Sequence, residues 1–501
     1  MKIQKNGFFA GVSSGLSTIS IALVLLAAAA GAFLLVPGSG VMSFLRDTVI
    51  SALNIYYIPV VAFFLLFVIA LLFTKFGSVK LGDDNDEPEF KTFAWFAMLF
   101  SCGMGIGLLF WSVAEPIYHF QSNPFLSEGQ AMTEEAKTIA MRLTFLHWGL
   151  HPWAAYVVIG LALAYFSYRK KMPLTFRSAL YPIFGDKVKG TLGDVVDIVA
   201  VFTTVVGVAT SLGLGAQQIN AGLNQLLGVP ISATTQVILV ALVTAIATTS
   251  AVSGVGRGIK YLSVTNVWLS IGILSLLIIL GSTSDLVVSY FTNTVDYFAN
   301  VVQLSIWVDD SGWQDGWTTF YWAWWITWAP FVGMFIARIS RGRTIRQFIF
   351  GVLLFPTLVG FLWLTIFGNT ALDVQTTAGG IVEAVNQDVS IAAFAMFGQM
   401  DLGSLGVLLS FMVMTLVFTY FVTSADSGTL VVTTILAGGS MNPPARQRIV
   451  WGIGEGLVAA ALLLAGGLVA LQTASISLAL PFSVLMLFMI AGLMKSLIKD
   501  G

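Results

Sequence analysis

The chain has 501 residues, 57% of them hydrophobic and 10% charged, with 24 basic and 25 acidic side chains and a net charge of −1. Soluble domains carry about 25% charged residues, so this chain cannot clothe a water-soluble surface of its length. That excludes a large cytosolic enzyme and a disordered chain, and the near-neutral charge with no basic domain excludes a nucleic-acid binder. The single cysteine, Cys102, excludes an internal disulfide and any cysteine-based metal centre. What remains is an all-α polytopic protein whose partner is the lipid bilayer.

A helix needs about 20 apolar residues to cross the hydrocarbon core. Twelve stretches qualify: 12–37, 50–75, 93–118, 139–168, 193–226, 231–253, 260–281, 317–340, 346–371, 399–438, 448–471 and 474–497. The first follows Lys2 and Lys5 and is too long for a cleaved signal peptide, so it reads as a retained anchor. The fifth and tenth are long enough to be tilted or broken. Between the seventh and eighth, residues 285–305 mix Asp285, Asp296 and Asn300 with Val, Phe and Tyr, which suits an amphipathic helix on the membrane surface. With the N-terminus placed inside, every basic residue except Arg46, Lys137 and Arg142 falls inside, and the outer segment 283–316 has five acids and no Lys or Arg. This is the positive-inside bias, with both termini cytoplasmic.

Residues 1–92 hold an N-terminal tail and two spans, 93–281 hold spans three to seven, 282–316 the outer surface helix and loop, and 317–501 spans eight to twelve with a short tail. Two blocks of five spans enter the membrane with opposite orientations, the inverted-repeat layout of many secondary transporters. Such folds break the first helix of a repeat near the midplane, and span three carries Gly103-Met104-Gly105-Ile106-Gly107 at its centre. Each interior Gly costs about 1 kcal/mol of helix relative to Ala, so local unwinding is expected. The competing reading is close helix packing through small residues.

Aromatic residues concentrate in Trp148-Gly149-Leu150-His151-Pro152-Trp153-Ala154-Ala155-Tyr156 of span four and in Trp317 to Trp328 of span eight. An interfacial belt accounts for Trp307, Trp313 and Trp317. It does not account for Trp325 and Trp328, which lie about 12–16 Å into the span. Stacked indoles beside a broken helix suggest a cage for a methylated ammonium, which has no N–H for a carboxylate to bind. Each ring contributes about 0.5–2 kcal/mol, and the freed backbone N–H groups can meet the anionic end of a zwitterion.

The run Gly103 to Gly107 through Trp111 to Glu115-Pro116, and Trp322-Ala323-Trp324-Trp325-Ile326-Thr327-Trp328-Ala329-Pro330-Phe331 on to Arg338, strongly resemble the betaine/choline/carnitine transporter family. The resemblance implies a LeuT-type 5+5 inverted repeat behind two extra helices, and a homotrimer in the cell inner membrane. It also implies a substrate box of Trp148, Trp153, Tyr156 and Trp325, with Trp324 and Trp328 on the exit path and Met104 and Gly105 facing the carboxylate. No organic cofactor is implied.

Span ten contains Tyr420-Phe421-Val422-Thr423-Ser424-Ala425-Asp426-Ser427. Sodium wants oxygen ligands, and adjacent hydroxyls facing an unwound helix supply them. By resemblance, one sodium site joins Thr423 and Ser424, near Tyr420, to backbone oxygens at Ser101 and Met104, and a second lies at Thr210 and Phe331. The alternative for the two hydroxyls is bonding back to their own helix. Asp426 is an intramembrane acid and a functional candidate by default, or a structural acceptor. Sodium-independent members place a base where sodium would sit, and span five has no Lys or Arg, which favours sodium coupling. His119, His147 and His151, with nothing nearby to complete a metal site, read as structural. The chain ends are short, which argues against osmosensing through tails. The expected activity is sodium symport of a betaine-like zwitterion. The alternatives are trimethylamine N-oxide, choline, carnitine, the sulfonium dimethylsulfoniopropionate, or antiport. A channel would want a polar pore, and an enzyme a nucleophile–base pair at depth.

Overall fold

The computed structural model describes residues 3–5, 7–29, 41–103, 105–252 and 258–500, and almost all of them are helical. Helices α1 (Ser14–Ala29) and α2 (Val41–Phe73) come first; α2 begins well before the expected residue 50. Span three is interrupted. It comprises α3 (Thr92–Gly103) and α4 (Ile106–Gln121), with Gly105 extended between them at φ −162 and ψ −146.

Span four departs from expectation. It divides at Gly149 into α5 (Glu134–Trp148) and α6 (Leu150–Ala164), followed by a wide π-helical turn over Tyr165–Arg169. The cause is Tyr297. Its hydroxyl accepts the Leu150 N–H at 3.0 Å, and a Cβ at Gly149 would lie 2.7 Å from that oxygen. Only glycine leaves room for this substitute hydrogen bond. Next are α7 (Phe176–Phe184), α8 (Thr191–Leu227), α9 (Ala233–Val252) and α10 (Gly258–Leu280).

The expected surface helix is α11 (Thr283–Ile306), tied to span four by Tyr297, by a bidentate Arg142–Asp296 pair at 2.6 and 2.7 Å, and by His151–Ser305 at 2.8 Å. After the single turn α12 (Trp313–Gly316) comes α13 (Thr318–Arg338), continuous and almost wholly buried. Span nine is α14 (Ile345–Leu364), a second π-helical turn over Thr365–Asn369, and α15 (Thr370–Thr377). Short helices α16 (Ile381–Gln387) and α17 (Ala392–Gln399) lead to α18 (Ser404–Leu436), then α19 (Ala445–Gly466) and α20 (Leu468–Asp500). The fifth and tenth spans, α8 and α18, are unbroken at 37 and 33 residues.

Among the described residues, nine helical runs are long and apolar enough to cross a membrane, and they match expected spans two, four to seven and nine to twelve. The other three fall short for separate reasons. Span one is a short apolar helix within the described residues, and span three is cut in two. Span eight spends its length on Trp, Tyr and Thr, which lower its hydropathy.

The loops expected on the inner side meet at one end of the molecule. Arg169 pairs with Asp84, Lys171 with Asp83 at 2.7 Å, Arg341 with Asp86 at 3.1 Å and Lys170 with Asp500 at 2.5 Å. The Arg169 guanidinium holds the exposed Asp84 carboxyl below its ordinary range. Lys137–Asp373 at 2.9 Å and Arg142–Asp296 join segments of the opposite side.

Candidate functional site

Four aromatic side chains of the expected box form a connected series. Trp153 meets Tyr156 at 5.4 Å and 89°, Tyr156 meets Trp325 at 6.1 Å and 86°, and Trp325 meets Trp148 at 4.9 Å and 81°. All four are at most 5% exposed. Their backbones come from the ends of α5 and α6 flanking Gly149 and from the middle of α13, so the break in span four sets the angle between Trp148 and Trp153. Trp325 is fixed by its indole N–H, which donates to the His147 carbonyl at 2.8 Å. Trp324 stacks on Trp325 at 5.3 Å and on Phe320 at 5.5 Å.

The glycine segment lies against the same helix. A Cβ on Gly107 would collide with the tip of the Trp324 ring, so this glycine exists to let the indole approach. A Cβ on Gly105 would sit in ordinary contact, 3.7 Å from Trp328 and 3.8 Å from Ser424 Oγ. Trp328 in turn donates its indole N–H to the Gly207 carbonyl of α8 at 2.9 Å and meets Phe331 edge-on at 5.5 Å. The broken helix, Trp328 and Ser424 are thus brought together. Met104 and the side chain of Ser101 lie outside the described residues.

The hydroxyls of Thr423, Tyr420 and Thr210 have hydrogen-bond partners within the fold. The Thr423 hydroxyl donates back to the carbonyls of Thr419 and Tyr420, at 3.1 and 3.2 Å, and accepts a long contact from Asn266 of α10. Tyr420 reaches Ser270 on α10 at 3.4 Å. Thr210 donates to its own helix at Val206 and meets Ser475 of α20 at 3.0 Å.

His119 and His147, expected to have nothing nearby that could complete a metal site, both face Glu115. Glu115, wholly buried on α4, gathers four polar partners. His147 Nδ1 and His119 Nε2 face its Oε1 at 2.7 and 3.3 Å. Trp148 Nε1–H donates to Oε2 at 2.8 Å, and the Tyr321 hydroxyl donates to the same oxygen. His147 is held from behind by Thr318 Oγ1 at 3.0 Å. The rings of Trp313 and Trp317, expected in the interfacial belt, also cover His119, at 5.1 and 4.5 Å. Glu115 therefore orients Trp148, a wall of the aromatic series. One ligand atom each from Glu115, His119 and His147 lies within 4.8 Å of the others, close enough to hold a metal ion. However, both carboxylate oxygens already have hydrogen-bond partners, and we read the group as a hydrogen-bonded hub. The Glu115–His119 spacing of four residues was the one sequence signal for it.

The sequence pattern of the BCCT, betaine/carnitine/choline family transporter matches residues 15–501. The chain is 44% identical over 452 residues to a probable glycine betaine transporter of Desulfitobacterium hafniense, covering 89% of each chain. It is 46% identical over 452 residues to a glycine betaine transporter of Bacillus subtilis, covering 89% of this chain and 86% of the relative. To a glycine betaine/proline/choline/ectoine transporter of Vibrio parahaemolyticus it is 40% identical over 510 residues, covering 99% and 88%. These relatives are carriers and not enzymes, and with matches of this extent the chain belongs to the betaine/carnitine/choline family of membrane transporters.

Proposed function

We propose that the chain is a sodium-coupled symporter of a small methylated ammonium zwitterion of the glycine betaine type. The observation that carries this is the series Trp153, Tyr156, Trp325 and Trp148, in which each ring stands nearly perpendicular to the next. Edge-to-face contact is a favoured packing of any aromatic pair; what supports a box here is that these four buried, connected rings are the ones the family resemblance places around the substrate. Ring faces attract a cation within about 6 Å of the centroid. Trp148 and Trp325 touch edge to face, so a trimethylammonium group entering between those two parts them. The carboxylate goes to the N-terminus of α4, where free N–H groups and the helix dipole favour an anion. The choice of glycine betaine follows the names of the relatives, and one of them, also named for proline, choline and ectoine, supports a broader substrate range.

Sodium coupling is supported by Ser424 beside the Gly105 break and by the absence of Lys and Arg from α8. Twelve spans in a 5+5 inverted repeat, alternating access, a homotrimeric state and an inner membrane with both termini cytoplasmic belong to the same proposal. In favour of the repeat, wide π-helical turns occur at the corresponding place in the second span of each block, Tyr165–Arg169 and Thr365–Asn369. Against strict symmetry, α13 is continuous where span three is broken.

In proteoliposomes, betaine accumulation is expected to require an inward sodium gradient and to collapse with a sodium ionophore. One sodium moving through 100 mV releases about 2.3 kcal/mol, roughly a fortyfold accumulation. Equal uptake with potassium in place of sodium would refute the coupling. The box has its own test. Trp325→Leu should weaken betaine binding about five- to thirtyfold, the loss of one desolvated ring. Trp268→Leu, on an indole 67% exposed on α10, should leave binding unchanged. Calorimetry giving the same affinity for both would contradict the assignment.

A further inference from the structure

A cavity of about 970 Å³ opens between α7, the π-helical turn after α6 and the last turns of α20. It lies at the end of the molecule where the loops expected on the inner side meet. Its apolar walls include Phe166, Met172, Tyr181 and Val188. Five bases reach it, Lys170, Arg177, Lys189, Lys495 and Lys499, against one acid, Asp500. Three of the bases are matched. Arg177 donates to Asp197 and Asp194 at 2.6 and 2.8 Å, Lys189 pairs with Asp186 at 2.6 Å and Lys170 with Asp500 at 2.5 Å. Lys495 and Lys499 are exposed and have no hydrogen-bond or ion-pair partner among the described residues. They stand one turn apart on the same face of α20, where like charges repel. Two unmatched ammonium groups on the wall of a wide cavity favour an anion.

The course of α20 says which kind. Val484, Phe488 and Ala491 precede Lys495 on the same helix face, at steps of four, three and four residues, and all are exposed. In a spanning helix such an apolar face meets lipid. Ile498, between the two lysines, is still 64% exposed, so the lysines stand where this face leaves the hydrocarbon. Helix α7 crosses α20 at the same level. Phe184 meets Phe488 edge-on at 5.5 Å, and a Cβ at Gly492 would lie 2.3 Å from the Ala179 carbonyl oxygen. The basic wall of the cavity therefore continues directly into a lipid-facing stripe. A soluble anion would use only the first of these; a phospholipid uses both.

We propose that this cavity binds the headgroup of an anionic phospholipid, with its phosphate on Lys495 and Lys499 and an acyl chain along Ala491, Phe488 and Val484. An ammonium is a point charge that suits phosphate, and basic pockets between spanning helices at the cytoplasmic boundary suit such headgroups. That the lipid comes from the inner leaflet rests on the orientation proposed above; the selectivity for an anionic lipid does not.

The experiment is native mass spectrometry of the purified full-length protein in neutral detergent, titrated with phosphatidylglycerol or phosphatidylcholine. A lysine beside an anionic headgroup is worth about fivefold in affinity. Lys495→Gln with Lys499→Gln should therefore weaken phosphatidylglycerol binding about 25-fold and leave phosphatidylcholine unchanged. Lys5→Gln with Lys91→Gln removes the same charge from exposed positions outside the cavity and should bind both lipids as the wild type does. If the α20 double variant does not fold, Lys499→Gln alone is read, with an expected loss of about fivefold. Equal affinity of the wild type for the two lipids, or undiminished phosphatidylglycerol binding in the α20 variant, overturns the site. Glycerol 3-phosphate, which has the phosphate and no acyl chains, should bind far more weakly than phosphatidylglycerol. Equal affinity for it would show a soluble-anion site and overturn the lipid assignment. None of these readouts depends on sodium coupling or on which way the chain crosses the membrane.

Discussion

Glu115→Ala is expected to destabilise the folded protein by about 3–5 kcal/mol, the cost of removing one partner from a buried polar pair or network. The substitution leaves two imidazoles, the Trp148 indole N–H and the Tyr321 hydroxyl facing a void in a region with no solvent exposure. Trp148 also loses what sets its angle to Trp325, so betaine affinity should fall with stability. Glu115→Gln makes the sharper comparison. Its carbonyl oxygen can take the place of Oε2 and accept from Trp148 and Tyr321. Its amide can then donate to the unprotonated nitrogens of two neutral histidines, with His147 Nε2–H turned toward Thr318. All four contacts at residue 115 are kept, at the cost of an Nδ1–H on His119 that has no partner, so this variant should melt closer to the wild type than Glu115→Ala and still bind betaine. Thermal melting of the purified protein with and without betaine checks both. A Glu115→Ala protein as stable as the wild type would show that the four contacts do not act as a hub.

How much of this was legible in the sequence depends on whether a feature is local. The interruption of span three follows from three glycines in five residues, because the helix cost is a property of the residues themselves. The crowding of Trp324, Trp325 and Trp328 on one helix needed only spacing. The break at Gly149 was not legible, since a lone glycine is ordinary in a membrane helix and its partner, Tyr297, comes from α11. Glu115 and His119 share a helix face, but His147 and Tyr321 arrive from two others, and no reading of single spans assembles them. Ser424 of the Thr423-Ser424 pair lies beside the break, a placement no spacing along the chain could show. That depends on how the helix is rotated against α4 and α13, which packing alone decides.

Gly105→Ala is expected to abolish most betaine transport in a protein that still folds. The structure separates two glycines that the sequence presented as alike. At Gly107 a methyl group collides with Trp324, so alanine there should disturb packing and the aromatic series together. At Gly105 the methyl has room, at ordinary contact distance from Trp328 and Ser424. Folding should therefore survive Gly105→Ala. Two functional costs remain. Alanine favours a continuous helix by about 1 kcal/mol, which opposes the interruption that frees the N–H groups of α4. The methyl also fills the space beside those groups, where a carboxylate would approach. A loss of at least about tenfold in uptake corresponds to only 1.4 kcal/mol, and the two effects together exceed it. The carboxylate contact can be isolated by comparing betaine with choline, which has the same cationic head and no carboxylate. If the α4 terminus holds the anion, Gly105→Ala should penalise betaine more than choline in competition binding. Equal penalties would assign the loss to the helix conformation alone. Normal uptake of both, in a variant with wild-type melting behaviour, would return Gly105 to the role of a packing residue.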